Sequence, residues 1–275
     1  MTTLFCMDSL RNKTVFITGA SSGIGRATAL RLASLGAQVA LSGRNRDALN
    51  EVARGVESAG ALALASPADV TNADEMRQAI ENTVAHFGKL DILIASAGLS
   101  MRAYFEGSSL EAMERVMRVN FFGVLYATHF ALPHVKKTRG SLVAISSLTG
   151  KRGIPSYGIY GASKFAIQGL YDALRLELMA EGVHVGVVSP AFVDTPLRDN
   201  VLGPDGNPWL TPPPPPFRIW PVEKCVDRVI RLIVKRKRQT LMPWFTGPLL
   251  ALDEMLGRVI GDRILMNRFP RDASS

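Results

Sequence analysis

The chain is poor in cysteine and histidine. Only Cys6 and Cys225 occur in 275 residues, too few for a disulfide framework and without metal-ligand spacing. The four histidines, His86, His129, His134 and His184, are scattered. The step from His129 to His134 does not keep one helical face, so no histidine metal site is expected. No uncharged apolar run approaches the roughly 18 residues of a membrane-spanning helix. Asp8, Arg11 and Asn12 make the start too polar for a secretory leader, and a cytoplasmic protein is expected, with peripheral membrane association left open. No motif or interleaved aromatic platform points to nucleic acid, so nucleic-acid binding is not expected.

What is present fits a globular chain with a real core: 47% hydrophobic and 20% charged residues. Its length allows one large α/β domain or two small ones. The net charge of +8 gathers in Lys235-Arg236-Lys237-Arg238 and around Lys136, Lys137 and Arg139. Such runs are solvated surface near helix ends, or attract anionic lipid or an anionic cofactor.

The organising stretch is Thr18-Gly19-Ala20-Ser21-Ser22-Gly23-Ile24-Gly25. It lies between a β-branched run, 13–17, and an Ala/Leu-rich helical run, 26–35. Strand, glycine turn and helix start together offer free N–H groups and a helix dipole to a pyrophosphate. Gly19 permits the turn, Gly23 the approach of phosphate, and Gly25 close packing of helix on sheet.

Strand-like and helix-like runs then alternate. Strands are expected at 13–18, 37–42, 61–65, 89–95, 141–147 and 184–189, with a short seventh at 240–242. Helices are expected at 23–35, 45–58, 73–87, 108–134, 157–180 and 222–235. This alternation predicts the α/β class: a single Rossmann-fold domain over 1–275, its doubly wound parallel sheet of about seven strands carrying helices on both faces. Residues 196–221, with a proline run, read as an insertion covering the substrate. The apolar tail, 248–275, is suited to seal a pocket, pack on a partner subunit or lie on a membrane.

Ligands bind at the carboxyl ends of such strands. The second strand ends in Ser42-Gly43-Arg44, without the acid that would contact ribose hydroxyls. Arg44, with Arg46 nearby, favours a 2′-phosphate, hence NADP(H) over NAD(H). Asp69 can accept a hydrogen bond from adenine or cap the next helix, where Thr71 and Asn72 compete. Asn120, inside a helical run, either faces solvent or needs buried hydrogen-bond partners. Tyr160 and Lys164 stand four apart on one helix face. A nearby ammonium lowers the pKa of a phenol, and Ser147, at a strand end, can bond the same substrate oxygen.

These motifs resemble the classical short-chain dehydrogenase/reductase family over residues 13 to about 195. The glycine turn matches its cofactor motif, carrying Ser21, Ser22 and Ile24 beside the glycines, and Tyr160-Gly161-Ala162-Ser163-Lys164 matches its catalytic motif. The resemblance implies Tyr160 as acid/base, Ser147 as its partner, and Lys164 on the nicotinamide ribose. It implies Asn120 as a fourth catalytic residue, holding a relay water through a helix irregularity. It further implies an adenine contact at Asp69-Val70 and nicotinamide-end contacts at Pro190, Val193 and Thr195.

Two departures stand out. Ala95-Ser96-Ala97-Gly98 replaces the usual Asn-Asn-Ala-Gly at the cofactor, leaving Ser96 one hydroxyl where an amide bridges two ways. Pro190-Ala191 replaces Pro-Gly, which requires a negative φ at Ala191. The implied reaction is metal-free hydride transfer between nicotinamide and a carbonyl or secondary alcohol carbon. Leu99, Met101, Leu148, Ile154, Phe192 and Leu197 are apolar pocket candidates without an obvious anion clamp, so a hydrophobic ketone or alcohol is expected. The long helices resemble the family's association helices, implying a homodimer or homotetramer. The alternatives are a non-catalytic dinucleotide-binding scaffold or regulatory protein, and nucleotide-sugar epimerisation or dehydration.

Overall fold

The first strand, β1 (Thr14–Thr18), is wholly buried and turns at Gly19 into α1 (Gly23–Ala33). The computed structural model describes residues 8–211, 214–215 and 217–269. Cys6, Pro212, Pro213, Pro216 and Arg271 lie outside these residues. Then follow β2 (Gln38–Gly43), α2 (Arg46–Ser58), β3 (Ala63–Pro67), α3 (Ala73–Phe87) and β4 (Ile92–Ala95). The second half contains α4 (Leu110–Met117), α5 (Gly123–Thr138), β5 (Ser141–Ile145), α6 (Gly158–Glu177) and β6 (His184–Pro190). A one-turn helix α7 (Pro196–Asp199) precedes α8 (Val222–Val234), β7 (Gln239–Met242), α9 (Thr246–Met255) and α10 (Val259–Arg268).

The seven strands form one sheet in the order β3-β2-β1-β4-β5-β6-β7, with every pairing parallel. The order reverses between β1 and β4, so the carboxyl ends of those strands flank the crevice where such folds take ligands. Two apolar layers sandwich the sheet. Val15, Ile17, Leu41 and Ile94 pack against α1, α2 and α8, whereas Phe16, Leu93, Leu142 and Val185 pack against α3, α5 and α6. Strands buried on both faces explain the continuous apolar run of β4 and the Val-rich middle of β6.

Local chemistry sets several boundaries. Asn72 caps α3, its side chain accepting from the N–H groups of Asp74 and Glu75 at 3.0 and 3.3 Å. Asp69 instead forms a turn, one carboxylate oxygen accepting from Thr71 N and Oγ1 at 2.9 and 2.8 Å. The expected strand at 61–65 shifts to β3, where Ala63 pairs with Val39 and Pro67 with Gly43. The single helix expected at 108–134 is broken: a π-helical turn, Arg118–Phe122, separates α4 from α5, which continues to Thr138. This turn carries Asn120.

Candidate active site

The glycine turn is held by contacts that exclude side chains. Gly19 has φ +67°, and a Cβ there would lie 2.7 Å from the Ala97 Cα. A Cβ on Gly25 would lie 2.3 Å from the Gly19 carbonyl oxygen, so α1 starts directly against the turn. Among the described residues, nothing accepts a hydrogen bond from the N–H groups of Gly23, Ile24 and Gly25. That cradle fits a dinucleotide pyrophosphate. Thr195 borders it, 3.3 Å from where a Gly23 Cβ would be. Ser21 lies beside Gly43 at the end of β2, and Arg44 follows, exposed and with no carboxylate paired to it among the described residues. Arg46, also exposed, opens α2.

The end of β4 is tied down from β1. The Thr18 hydroxyl accepts from Ser96 N and Ala97 N at 3.1 and 3.2 Å. Thr18 thus anchors the backbone after β4, while the Ser96 side chain makes no hydrogen bond to a described residue. Gly98 faces both the Asn120 amide and the Lys164 ammonium, at 3.3 and 3.5 Å from its hypothetical Cβ. Asn120 is fully buried and not turned to solvent. Its Oδ1 accepts from Leu99 N at 2.7 Å, and its Nδ2 donates to Leu99 O at 2.9 Å and Ser163 Oγ at 3.0 Å. Ser163 Oγ in turn donates to the Tyr160 carbonyl at 2.7 Å. The π turn, the β4 loop and α6 are therefore one hydrogen-bonded unit.

Ser147, Tyr160 and Lys164 converge above β5. Ser147 follows that strand and its Oγ accepts from Thr149 N at 3.2 Å. Tyr160 and Lys164 are buried on one face of α6, with the Lys164 Nζ 5.7 Å from the Tyr160 ring centroid. Lys164 Nζ donates to the Ile145 carbonyl at 3.1 Å. Burial pushes the Tyr160 phenol up to about 12, against a lowering hydrogen bond from Ser147. Burial pushes the Lys164 ammonium down to about 8. The phenol therefore moves opposite to the direction expected from the Tyr–Lys pair: desolvation dominates, and the lowering contribution comes from Ser147 rather than from Lys164. At neutral pH Tyr160 is a proton donor with a hydroxyl beside it.

Farther along the strand ends, β6 leads into Val193, which is buried and bridges Trp220. Asp194 N donates to the Trp220 carbonyl at 2.9 Å, fixing the approach to Thr195. Pro190 is buried, and Ala191 stays outside the positive-φ region, donating to Met242 O at 2.8 Å. The proline–alanine departure is thus accommodated without a positive φ. Val70 is buried against Gly123 at the start of α5.

Over Tyr160 lies an aromatic wall. Tyr157 stands 6.2 Å from Tyr160, 6.3 Å from Phe192 and 6.1 Å from Phe269, and Phe217 joins Phe192 and Phe269. Of the apolar pocket candidates, Phe192 and Ile154 reach this cluster, Met101 and Leu99 pack around Leu202, and Leu197 is about one third exposed. Arg102, unforeseen in the sequence, stacks its guanidinium 5.9 Å from Tyr157 and 5.7 Å from Phe269 and donates to Pro214 O at 2.9 Å. Phe269 also comes from the far end of the chain, where no local pattern marked it.

A doubly wound α/β fold with a glycine turn at its crevice and a Ser–Tyr–Lys cluster above β5 defines a narrow class. The short chain dehydrogenase family model matches residues 13–204, and the chain belongs to that family. It is 38% identical over 192 residues to 11-beta-hydroxysteroid dehydrogenase-like 3 of Arabidopsis thaliana, the match covering 69% of this chain but only 62% of that protein. A dehydrogenase/reductase from Sinorhizobium meliloti 1021 superposes with TM-score 0.76 at 30% identity, covering 88% of this chain and 97% of the other. An alcohol dehydrogenase from the archaeon Thermococcus sibiricus, complexed with 5-hydroxy-NADP, gives TM-score 0.74 at 26% identity, covering 84% and 96%.

Proposed function

We propose that the protein is an oxidoreductase transferring a hydride between NADP(H) and a carbonyl or secondary alcohol carbon of a hydrophobic small molecule. The observation that carries this reading is the meeting of Ser147, Tyr160 and Lys164 at the β5–α6 corner, beside the glycine cradle. The nicotinamide cofactor, when bound, supplies or accepts the hydride.

The chain's own groups do the rest. The turn from Gly19 through Ser21, Ser22, Gly23, Ile24 and Gly25 holds the pyrophosphate. Arg44, helped by Arg46, takes the 2′-phosphate, since no acid stands at the end of β2. Asp69 keeps a carboxylate oxygen outside its own turn for the adenine amine, with Val70 beneath it. Ser96, Ala97 and Gly98 line the middle of the cofactor, and Pro190, Val193 and Thr195 its nicotinamide end. Lys164 hydrogen-bonds the ribose and sets the charge near Tyr160. In the reductive direction Tyr160 gives its proton to the substrate oxygen, which Ser147 also polarises. Asn120 is a positioning residue: its amide is engaged by Leu99 and Ser163, so a relay water would rest on the backbone of the π turn.

The aromatic wall supports a hydrophobic substrate, covered by 196–221 and by the end of the tail. Phe122 and Phe165, exposed on the long-helix side, support a homodimer or homotetramer.

The test is a fluorescence titration with NADPH and NADH, followed by turnover on a panel of hydrophobic ketones. Tighter NADPH binding is expected, and Arg44→Glu should reverse the preference. Tyr160→Phe should lower turnover at least about a hundredfold and spare dinucleotide binding. Near-normal turnover by Tyr160→Phe would overturn the mechanism, and failure to bind either dinucleotide would favour a scaffold.

A further inference from the structure

We propose that the helical hairpin formed by α9 and α10 is a docking face for an anionic lipid bilayer. The hairpin is apolar on its outside. Trp244 and Met266 are each 68% exposed and Met255 83%, and Leu249, Leu252, Val259, Ile260 and Ile264 also stand out in solvent. Single exposed apolar residues are ordinary, but a run along two successive helices marks an interaction surface. Each helix is ten residues long, and no helix among the described residues is long and apolar enough to cross a membrane. An apolar face on short helices suits lying in the bilayer interface. Trp244, at the start of the hairpin, is a residue type that settles at headgroup depth, and Phe245 beside it adds exposed apolar surface.

Charge selects this occupant over a second copy of the chain. The acids of the hairpin are paired within the protein: Asp253 meets Arg152 at 2.9 Å, Asp262 meets the same arginine, and Glu254 meets Arg258. Arg263 and Arg268 are exposed with no acid paired to them among the described residues. Asp253 and Asp262 share one arginine, so the hairpin and Arg152 together keep a single net positive charge, presented by the exposed Arg263 and Arg268. Two copies meeting here symmetrically would bring these arginines together with the acids already taken. Anionic headgroups would complement them. The inner side is anchored through Arg152 and the buried Phe269, so the apolar face is held outward. Docking stands independently of the reaction proposed above.

The experiment is flotation of the full chain with vesicles of phosphatidylcholine alone and with about a third phosphatidylserine. Light scattering and dinucleotide titration are run on the same samples. Binding to the phosphatidylserine vesicles is expected. The triple variant Met255→Glu, Ile260→Glu, Ile264→Glu should abolish it with the melting temperature preserved, since all three side chains are exposed. The double variant Arg263→Gln, Arg268→Gln should weaken it about thirtyfold. No flotation with either vesicle overturns the proposal. So does flotation unchanged by the triple variant, which would place the contact elsewhere. A dimer that the triple variant dissolves, without flotation, would make the face a subunit interface.

Discussion

Lys164→Met should make the cofactor-free protein more stable at neutral pH while destroying its function. Lys164 is buried, and its ammonium is pushed from an ordinary value of 10.5 down to about 8. At about 1.4 kcal/mol for each tenfold loss of proton affinity, holding it protonated costs on the order of 3 kcal/mol at pH 7. Methionine removes that cost but leaves the Ile145 carbonyl without its donor, a loss of about 1 kcal/mol. The net expectation is a gain of about 2 kcal/mol at pH 7. Between the folded value near 8 and the unfolded value near 10.5, the unfolded chain holds more protons, so wild-type stability rises with pH. By pH 9.5 the variant's advantage should shrink by about 2 kcal/mol. Urea denaturation of both proteins at the two pH values, without dinucleotide, measures this directly. A variant less stable than wild type at pH 7, or an advantage equal at both pH values, would refute the reasoning.

Gly25→Ala places a methyl 2.3 Å from a backbone oxygen that cannot swing away. Stability should fall by about 2 kcal/mol, and dinucleotide affinity more than about tenfold, as displaced N–H groups lose the pyrophosphate; thermal melts and NADPH titration check both. Asp91 tests the amino-terminal end of the strands, opposite the chemistry. Burial would raise its pKa, but Thr14 N–H, Lys13 and Lys89 hold it below the ordinary value. Its stabilisation is present above the unfolded value near 3.8 and is lost as pH falls through the depressed folded value. Asp91→Asn should cost about 2 kcal/mol at pH 7 and flatten the acid limb of the stability profile, as urea titrations at several pH values would show.

Much of the scaffold was legible because the signals are local. α3 begins and ends where Asn72 and Gly88 stop the helical period, as a cap and a left-handed glycine do. The glycine turn and the Tyr160–Lys164 step were readable for the same reason: a strand–turn–helix junction and a four-residue helix step each fit in a few residues. The π turn was not. Its residues read as continuous helix, and what marks it is Asn120 bonding Leu99, 21 positions away in the chain. Asp69 was ambiguous until its carboxylate was seen on Thr71, with Asn72 taking the cap.

The sequence by itself determined the alternation of strands and helices, the glycine turn, and the residue types at the site, because periodicity and short spacings are properties of neighbouring residues. Tertiary structure alone decided the protonation balance and the cover. Tyr160 is raised and Lys164 lowered because both are desolvated, and desolvation depends on everything packed around a group. Arg102, Tyr157 and Phe269 form one wall only because the loop after β4, the residue capping α6 and the end of the tail converge there. The tail acids Asp253, Asp262 and Glu254 are drawn to Arg152 and Arg258, while Arg263 and Arg268 stay exposed beside an apolar face. Burial and pairing across a fold are sums over distant residues, and no stretch of sequence contains them.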